Sequence, residues 1–290
     1  MKISKYFIKF DKINSSIMRK IFFKSSLGVA LFAGLLVACN PSDTNSESSD
    51  DANVEDVQAS EIQVNPIDHS KEFPGAELLI ESITGEKISD SEAKITVKYT
   101  VNNFELTSMT EHDHANHLAN SHDGQHIHFI LDNKPYDALY APEHEVTVPL
   151  NSDHYLLSFL SRSYHESIKT PGAHKLIKFH VDENGQIQEQ ELPDEPGLFY
   201  SRPKGEYVGA DTENILLDFF LVNTTIGADG NKVLAEVNGE EFTLDSWQPY
   251  EITGAPFGDL KVKLTLVDAE GNQVVGDNTS IERDVKLLED

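Results

Sequence analysis

Cysteine is nearly absent. Cys39 is the only one in 290 residues, so no internal disulfide can form and stability has to come from packed cores. Tryptophan also occurs once, and methionine three times. Basic residues are scarce: 23 Lys and Arg against 49 Asp and Glu leave a formal net charge of −26. An acidic surface of that size repels nucleic acid and anionic head groups, and it favours cations. No segment carries an apolar helical period over three turns, which argues against an α-rich fold. There is no Gly-x-Ser-x-Gly elbow, no glycine-rich phosphate loop and no dinucleotide fingerprint. The reading therefore favours binding over catalysis and names no catalytic residue.

What the chain does concentrate is histidine. Six of its twelve fall between residues 111 and 131: His112, His114, His117, His122, His126 and His128. The first four sit among Asp, Asn, Ser and Ala and read as a polar loop. The last two lie on a predicted strand over 125–132. There Gln125, Ile127, Phe129 and Leu131 share one face, and His126, His128 and Ile130 share the other. Residues i and i+2 lie about 6.7 Å apart along a strand face. Two imidazoles at that spacing can converge on one ion, and imidazole suits Zn, Cu, Ni and Fe. The competing reading is an ordinary solvated sheet face beside an ordinary loop.

The N-terminus points to a compartment. An apolar run over 27–38 follows Arg19, Lys20 and Lys24 and is too short for a comfortable membrane span. It ends Leu36-Val37-Ala38-Cys39, which resembles the bacterial lipoprotein lipobox. That resemblance implies removal of residues 1–38, with Met18 as an alternative start. It also implies diacylglycerol and a fatty acyl chain such as palmitate on Cys39. The expected location is the cell envelope, anchored to a membrane, the outer one by preference, with its face left open. Residues 39–64 are rich in Ser, Asp and Glu and read as a disordered tether. After residue 38 the chain carries 16 Lys and Arg against 48 Asp and Glu, a formal charge of −32.

The remainder reads as all-β. Strands are predicted over 76–82, 93–101, 125–132, 144–150, 155–163 and 174–181, separated by turn residues. An acidic, proline-containing linker is expected over 187–195. A second block follows, with strands over 214–223, 232–237, 241–244, 260–267 and 281–288. The segment 214–223 is apolar on both faces apart from Asp218 and should be a buried central strand. Two tandem immunoglobulin-like β-sandwiches, over 65–186 and 196–290, account for the pattern.

The two blocks look like a repeat. Residues 98–103 align with 219–224, 123–133 with 229–239, and 155–160 with 261–266. Between the first two aligned pairs the first block holds 15 extra residues, and His112, His114, His117 and His122 lie in that excess. The positions matching His126 and His128 are Lys232 and Leu234, and the second block has no histidine. That asymmetry is the main argument for a site in the first domain.

The segment Ser161-Arg162-Ser163-Tyr164-His165-Glu166-Ser167 follows a predicted strand and supplies a third imidazole, His165. Glu166 or Asp123 is a candidate fourth ligand or an acceptor that orients a ring. His154 and His174 read as turn or surface residues; His69, His144 and His180 read as structural. Tyr136, Tyr140 and Tyr164 could form an apolar wall. The run 124–132 together with Tyr164-His165-Glu166-Ser167 resembles small periplasmic His-x-His domains of unknown function. The segment 161–165 also resembles the phosphate-holding corner of forkhead-associated domains.

The sequence expectation is thus a lipid-anchored envelope protein holding Zn or Cu. His126, His128, His165 and Glu166 are the ligands, and His112, His114, His117 and His122 are secondary, in a lid or capture loop. Affinity should fall as pH drops through about 6.5, where free imidazole titrates. The alternatives are an adhesion or assembly module that binds an envelope protein or glycan, and a phosphopeptide-binding module.

Overall fold

The computed structural model describes residues 61–290. The signal segment 1–38, Cys39 and the tether up to residue 60 lie outside the described residues. In chain order the strands are β1 (Gln63–Pro66), β2 (Glu77–Lys87), β3 (Glu92–Asn102), β4 (His126–Leu131), β5 (Asp137–Leu139), β6 (Glu143–Pro149), β7 (Ser152–Ser161), β8 (His174–Val181) and β9 (Ile187–Gln190). They continue with β10 (Gly197–Arg202), β11 (Glu206–Val208), β12 (Ile215–Val222), β13 (Lys232–Val237), β14 (Glu240–Leu244), β15 (Tyr250–Thr253), β16 (Gly258–Val267) and β17 (Ser280–Leu288). Among the described residues the only helical turns are short 3-10 ones, and the fold is all-β and immunoglobulin-like.

The first sandwich packs sheet β2-β3-β6 against sheet β5-β4-β7-β8-β9. β3 shows why: Ala93, Ile95, Val97 and Tyr99 point inward, whereas Thr96, Lys98 and Thr100 alternate outward. Ile127, Phe129 and Leu131 of β4 meet them, with Leu156 and Leu160 of β7 and Phe179 and Val181 of β8. The second sandwich packs sheet β1-β15-β12-β10 against sheet β11-β17-β16-β13-β14. Its core is built on Ile215, Leu217, Phe219 and Leu221 of β12 with Val233, Ala235 and Val237 of β13.

The internal repeat is visible in the hydrogen-bond ladder. His126 pairs with Ser161 and Leu131 with Leu156 between β4 and β7. Lys232 pairs with Val267 and Val237 with Val262 between β13 and β16. Every one of these residues maps to its counterpart by the same offset of 106 positions. The two sandwiches therefore share one register, not merely a similar pattern.

They meet sheet to sheet. Ile130, Leu157 and Phe159, on the outer face of the β4-β7 sheet, pack with Phe199 of β10 and Phe220 of β12, and Tyr136 and Trp247 complete the layer. Phe159 and Phe220 stack at 5.2 Å between centroids. Asn133 donates to the Leu198 carbonyl and accepts from the Tyr200 amide, both at 2.9 Å. Asp218, expected as the exception on its strand, is fully buried. It accepts from the Ser167 amide and hydroxyl, each at 3.1 Å, and pairs with Lys169. Its charge is thereby matched across the seam.

Two boundaries differ from the expectation. β9 pairs with β8, so residues 187–190 belong to the first sandwich rather than the linker. β1 lies in residues assigned to the tether and the start of the first domain, yet it pairs with β15 in the second sandwich. The reason is Ile62 and Val64, which pack against the second core. Deleting residues 61–66 should therefore destabilise the second sandwich by about 2–4 kcal/mol, from lost apolar burial and an uncovered edge. A fall in the urea midpoint of the full chain would register it; an unchanged midpoint would show that β1 contributes nothing.

Candidate metal centre

β4 is buried at all six positions. Its odd residues face the first core. Its even residues, His126, His128 and Ile130, face the second sandwich instead of solvent. The solvated sheet face of the competing reading is not what forms, because Ser201 and Phe199 of β10 lie against it. His165 enters from the turn after β7. That turn is closed by the His165 amide on the Arg162 carbonyl and the Arg162 amide on the Glu166 carbonyl, each at 2.9 Å. His165 has φ +67°, a left-handed conformation that a non-glycine residue adopts at a cost of about 1–2 kcal/mol. The strained backbone holds its ring against β4.

The three rings converge. His126 Nε2 lies 2.9 Å from His128 Nε2 and 3.1 Å from His165 Nδ1, and the three ligating atoms all lie within 4.8 Å of one another. Two nitrogens bound to one zinc at ~2.0–2.1 Å in tetrahedral geometry stand about 3.3 Å apart. The remaining nitrogens on β4 are held from behind. His126 Nδ1 donates to the Gly124 carbonyl at 2.8 Å, and His128 Nδ1 is 3.1 Å from Ser201 Oγ of β10. Such outer partners fix the tautomer and aim of a ligating imidazole.

Tautomer accounting shows what the cluster needs. Because His126 Nδ1 carries the proton donated to Gly124, its Nε2 is a bare lone pair whenever the ring is neutral. One in-plane lone pair faces two nitrogens. It can take one hydrogen bond well, and the other contact is then left poorly satisfied. A single cation placed among the three nitrogens answers all of them.

Electrostatics keeps the rings neutral. Burial pushes the His126 imidazole down to about 4, only partly offset by its bond to Gly124, with Arg202 and Lys204 acting in the same direction as burial. His128 and His165 are held well below the ordinary imidazole range, first by burial and then by neighbouring positive groups. Protons therefore compete for His126 toward pH 4 rather than at the 6.5 expected of free imidazole.

The other expected ligands are elsewhere. Glu166 accepts from Arg162 at 2.9 Å, and its second oxygen lies 3.7 Å from His114 Nδ1, so it faces away from the trio. Asp123 and His122 are exposed. His112 and His114 pack on Tyr164, and His117 is 2.6 Å from Glu251 of β15. Thus His117 joins the inter-sandwich packing, and none of the four loop histidines belongs to the centre. Of the three tyrosines, Tyr136 stacks on His128 at 3.6 Å and Tyr140 covers His126 at 5.2 Å, but Tyr164 lies elsewhere. His154, expected at the surface, is buried on Asp132 at 2.8 Å. His174 is half-buried against Phe220, at 4.7 Å between centroids. Arg162 gives its donors to the Lys71 and Ser167 carbonyls and to Glu166. It is buried and bonded within the protein rather than presented to a phosphate.

Ser201, Arg202 and Lys204 were not anticipated. The sequence signal was the alternation of Leu198 and Tyr200 with Phe199 and Ser201 on an unassigned strand. Nothing in the sequence says that this strand crosses β4.

No protein-family model matches the chain, and no curated protein does. Among solved structures, the chain is similar to fibronectin(III)-like modules of Clostridium thermocellum CbhA, with 16% identity and a TM-score of 0.24. That match covers 32% of this chain and 97% of the other. It is also similar to the two tandem V-type regions of a v-region-containing chitin binding protein, with 8% identity and a TM-score of 0.20, over 73% of this chain and 99% of the other.

The depressed His126 sets an acid-stability window. Between about pH 6.5 and 4 the unfolded chain binds a proton there that the folded chain refuses, so stability falls as pH falls. The loss for His126 alone is on the order of 3 kcal/mol. Urea midpoints of chelator-treated protein should drop from pH 7 to pH 4.5, and the drop should be smaller in His126→Asn. Equal drops in the two proteins would mean that His126 titrates normally.

Proposed function

We propose that the protein is a lipid-anchored cell-envelope protein whose first sandwich binds a transition metal, Zn or Cu, through His126, His128 and His165. The observation that carries this reading is the bare His126 Nε2 facing two other imidazole nitrogens at 2.9 and 3.1 Å. The donor chemistry agrees, because three neutral imidazoles suit Zn and Cu and offer nothing to Mg or Ca, which take oxygen ligands. Both β4 histidines are fully buried, and the Tyr140 hydroxyl over His126 is engaged with Ser121 at 2.6 Å. An enclosed centre of this kind suits retention of an ion rather than turnover of a substrate. Glu166 is not among the ligands, and the 111–122 histidines are not needed for tight binding.

The envelope part of the reading rests on Leu36-Val37-Ala38-Cys39. Replacing Cys39 by Ala should move the protein from the membrane pellet to the soluble fraction; continued pelleting would refute lipidation.

The metal part is tested by titrating the purified full-length protein with Zn2+ and Cu2+. His126→Ala combined with His128→Ala should abolish the tight phase. Replacing His112, His114, His117 and His122 together by Gln should preserve it. The opposite pattern would place the site in the loop. A protein with no affinity tighter than micromolar would leave adhesion or assembly, on a protein or glycan, as the surviving reading.

A further inference from the structure

Cations are scarce in this chain, and the buried Arg162 and Lys169 meet carboxylates, Glu166 and Asp218. Arg202, Lys204 and Arg283 do not. Among the described residues no carboxylate lies within ion-pair distance of any of the three. The two arginines are 7% and 8% exposed, so bulk water hydrates their charge poorly. A buried cation without a counter-charge is costly. The three also stand near one another. Burial lowers the Lys204 ammonium from its ordinary range, and Arg202 and Arg283 lower it further against an opposing pull from Asp137.

Lys204, from the turn after β10, and Arg283, on β17, line an open depression of about 430 Å3 together with Lys134, Pro135 and Ile281. A volume of that order suits a small molecule. Arg283 is fixed by a bond from Nη2 to the Asn133 carbonyl at 2.9 Å and by the Tyr200 ring, whose centroid is 4.5 Å from the guanidinium. Its Nη1 has no hydrogen-bond partner. Lys204 donates to the Tyr136 carbonyl, which leaves ammonium donors over. The carboxylates around the depression are engaged elsewhere. Asp132 accepts from His154 at 2.8 Å, and Glu282 and Asp284 lie 3.0 and 3.7 Å from Lys261. A guanidinium beside an ammonium is a pairing that recognises an oxyanion. The nearby carboxylates oppose a second negative charge, which favours a carboxylate over a phosphate dianion. We propose that this depression binds a small carboxylate-bearing molecule, with Arg283 and Lys204 holding the carboxylate and Pro135 and Ile281 against its carbon skeleton. The site uses no ligand of the histidine centre, so the two readings stand or fall separately.

The probe is acetate, followed on the purified full-length protein by saturation-transfer NMR of its methyl group at fixed ionic strength. The wild type should give a saturable signal in the millimolar range. Arg283→Gln and Lys204→Met should each weaken binding about 10-fold or more. Lys98→Gln, which removes a surface cation of β3 paired with Glu143, should leave it unchanged. Urea midpoints check that each variant folds. Lys204 is half-buried, so Lys204→Met keeps the test in force if Arg283→Gln does not fold. Replacing chloride by acetate should also raise the urea midpoint of the wild type more than that of Lys204→Met. No saturable signal in the wild type, or equal binding by the wild type and Lys204→Met, overturns the proposal. Inorganic phosphate that displaces acetate with the higher affinity overturns the carboxylate assignment.

Discussion

The outer face of the β4-β7 sheet must be covered, and the second sandwich covers it. β4 and β12 are each buried on both faces, one face inside its own sandwich and the other at the seam. Ile130, Leu157 and Phe159 on one side and Phe199 and Phe220 on the other supply the apolar contact. Burying His126 and His128 in the same layer is tolerable only if their nitrogens are partnered. Gly124 and Ser201 take one nitrogen of each ring, and the others turn on one another and on His165. Docking of the sandwiches therefore completes the partners of the histidine cluster. The second sandwich is part of the centre, because Ser201 aims His128.

Much of this was legible in residue order. Alternation gave β3 and β13 within a residue or so, because each has one buried face and one wetter face. The repeat gave the correct strand correspondence, since the offset of 106 positions holds in the ladders of both copies. The i, i+2 spacing and the polar turn after β7 brought His126, His128 and His165 together correctly. What failed was anything set by contact between the copies. The strand 214–223 was visibly apolar on both faces, which is the mark of a strand covered twice. The partner for its second face could not be read from local pattern. β1 and β15 were missed for a related reason: each has four residues, and they pair with one another from far apart in sequence. Glu166 looked like a ligand because it adjoins His165. In a turn closed by Arg162 and Glu166 backbone bonds, neighbouring side chains point in different directions.

The duplication explains why only one copy carries the cluster. In β13 the positions matching the β4 outer face are Lys232, Leu234 and Glu236, all half-exposed. The same register thus serves once as a wet face and once as a sealed one, and burial in the sealed copy keeps its imidazoles neutral well below pH 6.5. The 15 additional residues of the first copy reinforce the seal. Leu118 and Ala115 of that loop pack with Ile67, Tyr164 and Leu216, and His117 reaches Glu251. Its histidines look like a metal tract in the sequence, but in the fold His112 and His114 pack on Tyr164, His117 reaches Glu251 and His122 is exposed.

The electrostatics of the molecule runs in opposite directions at two ranges. At long range a formal charge of −26 raises the local concentration of any cation. Within the seam, Arg202 and Lys204 oppose a positive charge on the histidines, as their effect on all three rings shows. Attraction to the surface is indifferent to the kind of ion. Repulsion at the centre is not, because it must be overcome by bonding to nitrogen. A hard ion such as Mg2+ or Ca2+ gains little from imidazole and would stay in the acidic atmosphere outside. An ion with strong affinity for nitrogen donors can offset the repulsion. The positive residues beside the cluster are therefore compatible with a metal centre, and they narrow the set of ions that it would accept.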